Sequence, residues 1–326
     1  MPVAFVTGGT GFLGINLIEQ LLAQNWQVVA LHRPTSNLKY LRQFDIELVQ
    51  GSITDPDSLA LVFPEKVDAV FHAAANTNLW SRRNDIQTRD NVEGTRNMVA
   101  IALKRKAGRF IHTSSIAFYG HHQHRINEET SSNAIDSPLN YARTKYLAEL
   151  EVRQGINQGL DAVMINPVNI IGPYDDHNWA QLFLLINRQK LPGVGPATHT
   201  FCHVRDVARA HIAAFHRGKK GENYILGGVE VDYLNFAREI GEILQKPTPK
   251  RTTPIWILNL VGRLSLWMSY ITRKEPDITP EKVYLITHNM RCDSQKAERE
   301  LDYKSTPLKT MLDDCCKWMR SEGLLD

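Results

Sequence analysis

Short apolar runs recur through the first half of the chain, separated by stretches in which apolar residues return every three to four positions. Residues 3–6, 26–32, 46–49, 67–73 and 108–113 are compact and rich in Val, Ile, Phe and Trp, which predicts five strands. Between them Ile15, Leu17, Ile18, Leu21 and Leu22 share a helical face, and the spacing predicts helices over 12–24, 57–63 and 85–106, with another over about 138–155. This β-α rhythm predicts an α/β fold, a doubly wound parallel sheet with helices on both faces. Ligands on such sheets sit beyond the carboxyl ends of the strands, so the loops after Val6, His32, Val49, Ala73 and Thr113 are the ones to read for chemistry. The second half is less regular and is read as a smaller, mostly helical lobe. Strands at 198–204 and 224–226, around a helix over 206–217, are expected to return to the main sheet. This divides the chain into 1–170 plus about 198–227, and 171–197 plus 228–326.

The first of those loops is Thr7-Gly8-Gly9-Thr10-Gly11-Phe12-Leu13-Gly14, placed between the first strand and the first helix. Its glycines suit a tight turn, the approach of backbone N–H groups to a pyrophosphate, and close helix–strand packing. The helix N-terminus behind it offers free N–H donors and partial positive charge to an anion. Gly8, Gly11, Phe12, Leu13 and Gly14 are therefore candidate dinucleotide-binding residues in a Rossmann-type domain.

The loop after the second strand, His32-Arg33-Pro34-Thr35-Ser36-Asn37, has no carboxylate to accept the ribose hydroxyls of NAD. Arg33 can instead fork onto the 2′-phosphate of NADP, so NADP(H) is the expected cofactor, with NAD(H) possible. Ser52 and Ile53 follow the third strand, close to where an adenine would lie, and Asp55 is placed to cap the next helix. Ala73, Ala74 and Ala75 are small enough to pass beneath a cofactor, and the polar and aromatic Asn76, Asn78 and Trp80 beyond them are candidates for touching substrate. His72 is read as a packed core residue.

Thr113-Ser114-Ser115 ends the fifth strand on the same edge as the glycine loop, and Tyr141 and Lys145 then fall one turn apart on a helix. A free phenol has a pKa near 10. A neighbouring ammonium, with the positive nicotinamide, would bring it toward working pH and make it a usable acid or base. A serine at the strand end can hold a substrate carbonyl oxygen against it.

Together TGGTGFLG (7–14), HAAA (72–75), NVEGT (91–95), TSS (113–115), YARTK (141–145) and NPVNIIGP (166–173) resemble the extended short-chain dehydrogenases/reductases over almost the whole chain. HRPTSNLKYL (32–41), HAAANTNLW (72–80), NVEGTRNM (91–98) and HVRDVARAH (203–211) are similar to the dihydroflavonol-4-reductase-like branch of the NAD-dependent epimerase/dehydratase family. The resemblance implies Tyr141 as acid/base, Lys145 as its electrostatic partner and ribose ligand, and Ser115 as carbonyl orienter, with Ser114 as the alternative. It further implies that Asn91 braces the region, that Pro167 and Ile170 lie beside the nicotinamide, and that a homodimer forms through the helices at 85–106 and 138–155. Ala117, Asn169, Tyr174 and the helix around 179–187 are expected to wall the substrate pocket. The chain departs from the family pattern at Asn166, where an arginine is usual, at Ser52, where an acidic residue is common, and at Arg205 in His203-Val204-Arg205-Asp206, where an acidic residue is usual.

Composition narrows the partners. A hydrophobic share of 43% with a net charge of +3 and no charged tail leaves no electrostatic footprint for nucleic acid. The first strand begins at once, so a cleaved leader is not expected, and the four cysteines lack a C-x-x-C spacing and are read as free thiols of a cytoplasmic protein. His121, His122 and His124 lack Cys or carboxylate partners at ligand spacing, so no metal is expected. The apolar stretch 254–271 is interrupted by Asn259, Arg263 and serines and is too short and polar for a membrane span; it is read as a helix packed over the substrate cleft, with peripheral membrane docking, as in steroid-acting relatives, the minority alternative.

These observations lead to an NADPH-dependent reductase of an aldehyde or ketone of moderate size. The rival readings are a nucleotide-sugar epimerase or dehydratase holding NAD tightly, a 3β-hydroxysteroid dehydrogenase-like enzyme, and a dinucleotide-sensing regulator without catalysis.

Overall fold

The computed structural model describes residues 1–326. Its elements run β1 (Val3–Thr7), α1 (Phe12–Ala23), β2 (Gln27–His32), β3 (Glu47–Gln50), α2 (Pro56–Val62), β4 (Ala69–His72), α3 (Asn84–Thr88), α4 (Gly94–Lys104) and β5 (Arg109–Thr113). They continue with α5 (Asn140–Asn157), β6 (Ala162–Pro167), β7 (Asn169–Ile171), α6 (Ala180–Asn187), β8 (Thr198–His203), α7 (Val204–Arg217), β9 (Asn223–Leu226) and β10 (Val229–Asp232). Five helices close the chain: α8 (Tyr233–Leu244), α9 (Ile255–Thr272), α10 (Pro280–Thr287), α11 (Gln295–Leu301) and α12 (Leu308–Ser321).

Seven strands form one parallel sheet in the order β3-β2-β1-β4-β5-β6-β9. The order reverses between β1 and β4, and the crevice that such a reversal opens lies at the carboxyl ends of these two strands. The glycine loop follows β1 and the Ala73–Ala75 backbone follows β4, so both border it. Two apolar layers fix the sheet. Ile15, Leu17, Ile18 and Leu21 of α1 and Val207, Ala210 and Ile212 of α7 are buried on one face. Leu59, Met98, Val99, Ala102 and Val152 of α2, α4 and α5 cover the other. Capping follows the chemistry of the sequence: Asp55 accepts from the N–H groups of Asp57 and Ser58, and Thr279 from that of Lys282.

One strand expectation is corrected. Residues 198–203 do not rejoin the main sheet; β8 is the middle strand of a second sheet ordered β10-β8-β7, parallel to β7 and antiparallel to β10. The two outer strands that hold it are only three and four residues long, too short to register as apolar runs in the sequence. Phe201 of β8 stacks on Phe236 of α8 at 4.3 Å and joins a separate core with Phe183, Ile240, Met311 and Cys315. Residues 224–226, by contrast, do return to the main sheet as β9.

A second correction concerns α9. It is a helix, but not a covered one: of its residues only Leu258, Gly262 and Ser269 are buried.

Candidate active site

The glycine loop is built for close approach of backbone. Gly8 has φ +71°, a conformation glycine adopts without strain, and a Cβ on Gly14 would lie 2.1 Å from the Gly8 carbonyl oxygen. Helix α1 begins at Gly11 with no side-chain cap and no acidic residue in its first turn. Its leading N–H groups thus have no side-chain acceptor within the chain, and a Cβ on Gly11 would meet only the Gly8 oxygen, at 3.3 Å. An open, uncapped helix start behind a glycine turn fits a dinucleotide pyrophosphate. Phe12 and Leu13 supply the first helical N–H groups. On the other side of the crevice Ala73 and Ala74 are tied down by Thr7, whose carbonyl oxygen and hydroxyl accept from their N–H groups, while Ala75 is exposed.

Arg33 is exposed at the end of β2 and forms no ion pair, so its guanidinium is free to receive an anion. Lys39 nearby is engaged by Glu322 beyond α12, which also accepts from the Tyr40 hydroxyl at 2.7 Å. Ser52 turns back on its own loop, bonding the Thr54 hydroxyl at 2.9 Å, and Ile53 packs against Gly94. Pro167 is buried at the end of β6 and Ile170 half-buried in β7.

At the end of β5 the two adjacent serines part company. Ser114 donates to Glu149 at 2.9 Å, behind the strand, and is corrected from an alternative orienter to a structural residue. Ser115 instead neighbours the Tyr141 phenol, whose pKa it draws down, and its hydroxyl accepts from the Ala117 N–H at 3.2 Å. Lys145 is buried, donates to the Thr113 carbonyl oxygen at 2.9 Å, and lies 5.9 Å from the Tyr141 ring centroid. Burial pulls Lys145 down to about 8, opposed by the Glu149 carboxylate one turn away.

The lowering of the Tyr141 pKa is expected from Lys145 together with the positive nicotinamide, and the protein's own groups alone do not produce it. Burial pushes the phenol up and the neighbouring Ser115 hydroxyl opposes it, while the Lys145 ammonium is engaged by the Thr113 carbonyl oxygen.

Asn91 is the brace. Its side chain accepts from the Asn76 N–H at 2.6 Å and donates to the Thr144 hydroxyl at 2.9 Å, tying the loop after β4 to the helix that carries Tyr141. Behind Ser115 lies a polar cluster that sequence reasoning missed. The fully buried Glu149 accepts from Ser114, Arg153 and Asn223, and Asn166 donates to the Ser115 carbonyl oxygen at 3.2 Å. Its signal was present, since Glu149 is one further turn along the Tyr141–Lys145 face. His72 is a core residue as read: it bonds Thr7 and Thr95, and burial brings it down to about 3, so it is neutral.

The expected pocket residues divide. Ala117 is buried with Leu139 and Ala142 in a small apolar cluster against which Tyr141 packs, and Tyr284 and Leu285 of α10 pack there too. Neither α10 residue was foreseen, because nothing local marks a helix 140 residues downstream of Tyr141 as its neighbour. Asn76 and Asn78 lie on the loop after β4, and Asn78 donates to Glu275 at 3.0 Å. Trp80 is buried beneath Arg82 and Arg83 rather than presented to the cleft. Asn169 is held by Thr200 and His199. Tyr174 is placed elsewhere: it packs at 5.0 Å on Tyr40 and 5.7 Å on Trp318, on the side of the Arg33 loop, and is corrected as a pocket wall. His121 meets His288 and Tyr284 edge-on at the rim.

Known proteins share this fold. Residues 4–227 match the model of the NAD dependent epimerase/dehydratase family. A Synechocystis sp. protein provisionally named dihydroflavonol 4-reductase is 32% identical over 98% of this chain and 95% of its own length. The crystal structure of gox2253 superposes with a TM-score of 0.87 at 31% identity over 100% of both chains. DesIV, a dTDP-glucose 4,6-dehydratase from Streptomyces venezuelae solved with NAD and TYD bound, superposes at 0.80 with 24% identity over 99% of both chains. The chain belongs to the NAD-dependent epimerase/dehydratase family, as an enzyme of the extended short-chain dehydrogenase/reductase type that uses a nicotinamide dinucleotide.

Proposed function

We propose that the protein is an NADPH-dependent reductase of aldehydes or ketones of moderate size and apolar character, using Ser115, Tyr141 and Lys145. The observation that carries this is the convergence of Ser115, Tyr141 and Lys145 at the carboxyl end of β5, where Lys145 donates to the Thr113 carbonyl oxygen at 2.9 Å and Tyr141 packs against Ala117. A phenol is protonated at neutral pH, which is the state a proton donor needs in the direction of reduction. When bound, the dinucleotide supplies the hydride. Ser115 holds the substrate oxygen, Tyr141 gives it a proton, and the Ser115 hydroxyl, with the Lys145 charge 5.9 Å from the ring centroid, stabilises the phenolate left behind. Ala117, Leu139, Ala142, Tyr284 and Leu285 supply apolar walls that exclude water and favour an apolar substrate. The test is a panel of carbonyl compounds assayed by NADPH oxidation, with purified wild-type protein and Tyr141→Phe.

The NADPH preference rests on Arg33. Arg33→Asp should raise the KM for NADPH roughly tenfold to a hundredfold, the worth of a charge-assisted bond to phosphate, while lowering that for NADH. Equal KM values for NADPH before and after the change would remove Arg33 from the reading. A second reading, internal recycling of tightly held NAD, is favoured by the NAD bound in DesIV. It predicts NAD co-purifying with the protein and no net NADPH consumption on any carbonyl.

Lys145 gives a pH prediction. With its pKa at about 8, the ammonium is lost as pH rises through that value, so kcat/KM for the dinucleotide should fall above pH 8. Its contribution to stability runs the opposite way: between about 8 and the free value of 10.5 the unfolded chain binds more protons, so folding gains as pH rises through that window. Lys145→Arg should move the alkaline limb of the rate profile upward. A limb that stays in place would assign it to another group.

A further inference from the structure

Helix α9 is apolar almost all round, a composition that belongs in a core or a membrane, yet it lies on the outside of the protein. Trp256, Leu260, Leu264, Trp267 and Ile271 fall at i, i+4, i+8, i+11 and i+15, so they form one stripe, and each is more than half exposed. Met268 and Tyr270 widen it at 55% and 59% exposed. The opposite side is fixed to the protein. Gly262 packs so closely on α10 that a Cβ would meet Val283 at 3.0 Å, and Arg82 donates to the Ser269 carbonyl oxygen at 2.8 Å while its guanidinium lies 5.0 Å from the Tyr270 ring centroid. The stripe is therefore held rigidly outward. Exposed apolar surface of this extent on a folded protein marks a contact site.

Charge selects the occupant. From residue 243 to residue 274 the chain has no Asp or Glu, and Lys250, Arg251, Arg263, Arg273 and Lys274 are all exposed. Arg82 and Arg83, also exposed, stand beside the carboxyl-terminal half of the helix. Cations before, within and after an apolar stripe carrying two Trp and one Tyr match a lipid surface, where aromatic rings settle at headgroup depth and basic side chains meet anionic phosphates. No helix of the protein is long and apolar enough to cross a membrane, so α9 would lie in the plane of the interface.

We propose that α9 docks the protein on anionic lipid surfaces, the alternative that its sequence placed second to a packed helix. The contact would sit one helix from Tyr284 and Leu285, beside the apolar walls of the site.

The experiment is co-sedimentation of the full chain with vesicles of phosphatidylcholine alone or with about 30% phosphatidylglycerol. Wild-type protein should sediment with the anionic vesicles at least about tenfold more strongly than with neutral ones, and added salt should weaken the association. Leu264→Glu with Trp267→Glu should abolish it, and Arg273→Glu with Lys274→Glu should reduce it to the neutral level. Both pairs should keep the wild-type melting temperature and dinucleotide binding in lipid-free buffer, which separates lost docking from lost fold and from any failure of the carbonyl-reductase reading. Sedimentation with neither vesicle, or equally with both, overturns the proposal. So does a dimer in lipid-free buffer that Leu264→Glu with Trp267→Glu dissociates, since a second copy would then be what covers the stripe.

Discussion

Tyr141→Phe is expected to lower carbonyl reduction by about two to four orders of magnitude in kcat, the usual worth of a positioned general acid. The loss should be confined to chemistry. The phenyl ring keeps the packing against Ala117, Leu139 and Ala142, and Lys145 keeps its bond to the Thr113 carbonyl oxygen, so NADPH should bind within a few-fold of wild type. Steady-state NADPH oxidation beside a fluorescence titration of the dinucleotide checks both halves. Tyr146, five residues on, borders the same apolar cluster but stacks on Phe118 at 5.9 Å between centroids, so Tyr146→Phe is expected to leave turnover within a few-fold of wild type. A Tyr141→Phe enzyme within tenfold of wild type would remove the proton donor from the reading.

The second large effect is at Gly14. A Cβ there would stand 2.1 Å from the Gly8 oxygen and 2.7 Å from the Gly9 Cα, and both obstacles are backbone that cannot rotate aside. Gly14→Ala should therefore push α1 away from the turn, destabilise the fold by more than about 3 kcal/mol and abolish dinucleotide binding. Gly11→Ala is the matched control. With φ −84° and only the Gly8 oxygen near, at 3.3 Å, it should cost under about 1 kcal/mol in stability while still weakening binding, because its methyl group enters the space before the helix start. Urea unfolding midpoints with dinucleotide titrations distinguish the two. Equal stability of Gly14→Ala and wild type would contradict the close helix–strand approach.

Much of this was legible in the chain itself, for identifiable reasons. The five early strands carry apolar runs bounded by turn residues, and the i, i+4 relation of Tyr141 and Lys145 is set by helix geometry alone. What the sequence concealed was long-range. Thr198–His203 reads as a strand wherever it pairs, and its membership of the small sheet depends on the three-residue β7. Ser114 and Ser115 are chemically alike and one residue apart, so alternation along the chain sends one to Glu149 and the other to Tyr141. Tyr174, at φ +73°, leaves β7 toward Tyr40 instead of the cleft; Gly172-Pro173 announce a turn there but not its direction. The apolar stretch that became α9 was read as covered because apolar helices usually are, and only coordinates show its outer stripe bare.

The account depends on the Tyr141 oxygen facing the reacting end of a dinucleotide clasped by residues 8–14. A crystal structure of the protein grown with NADPH measures this directly. The account predicts the nicotinamide ring in the crevice between the glycine loop and Ser115, with its C4 and the Tyr141 oxygen close enough for one carbonyl group to bridge them. A nicotinamide ring seated away from Ser115 and Tyr141, with Lys145 between them or on the far side of the sheet, would contradict it.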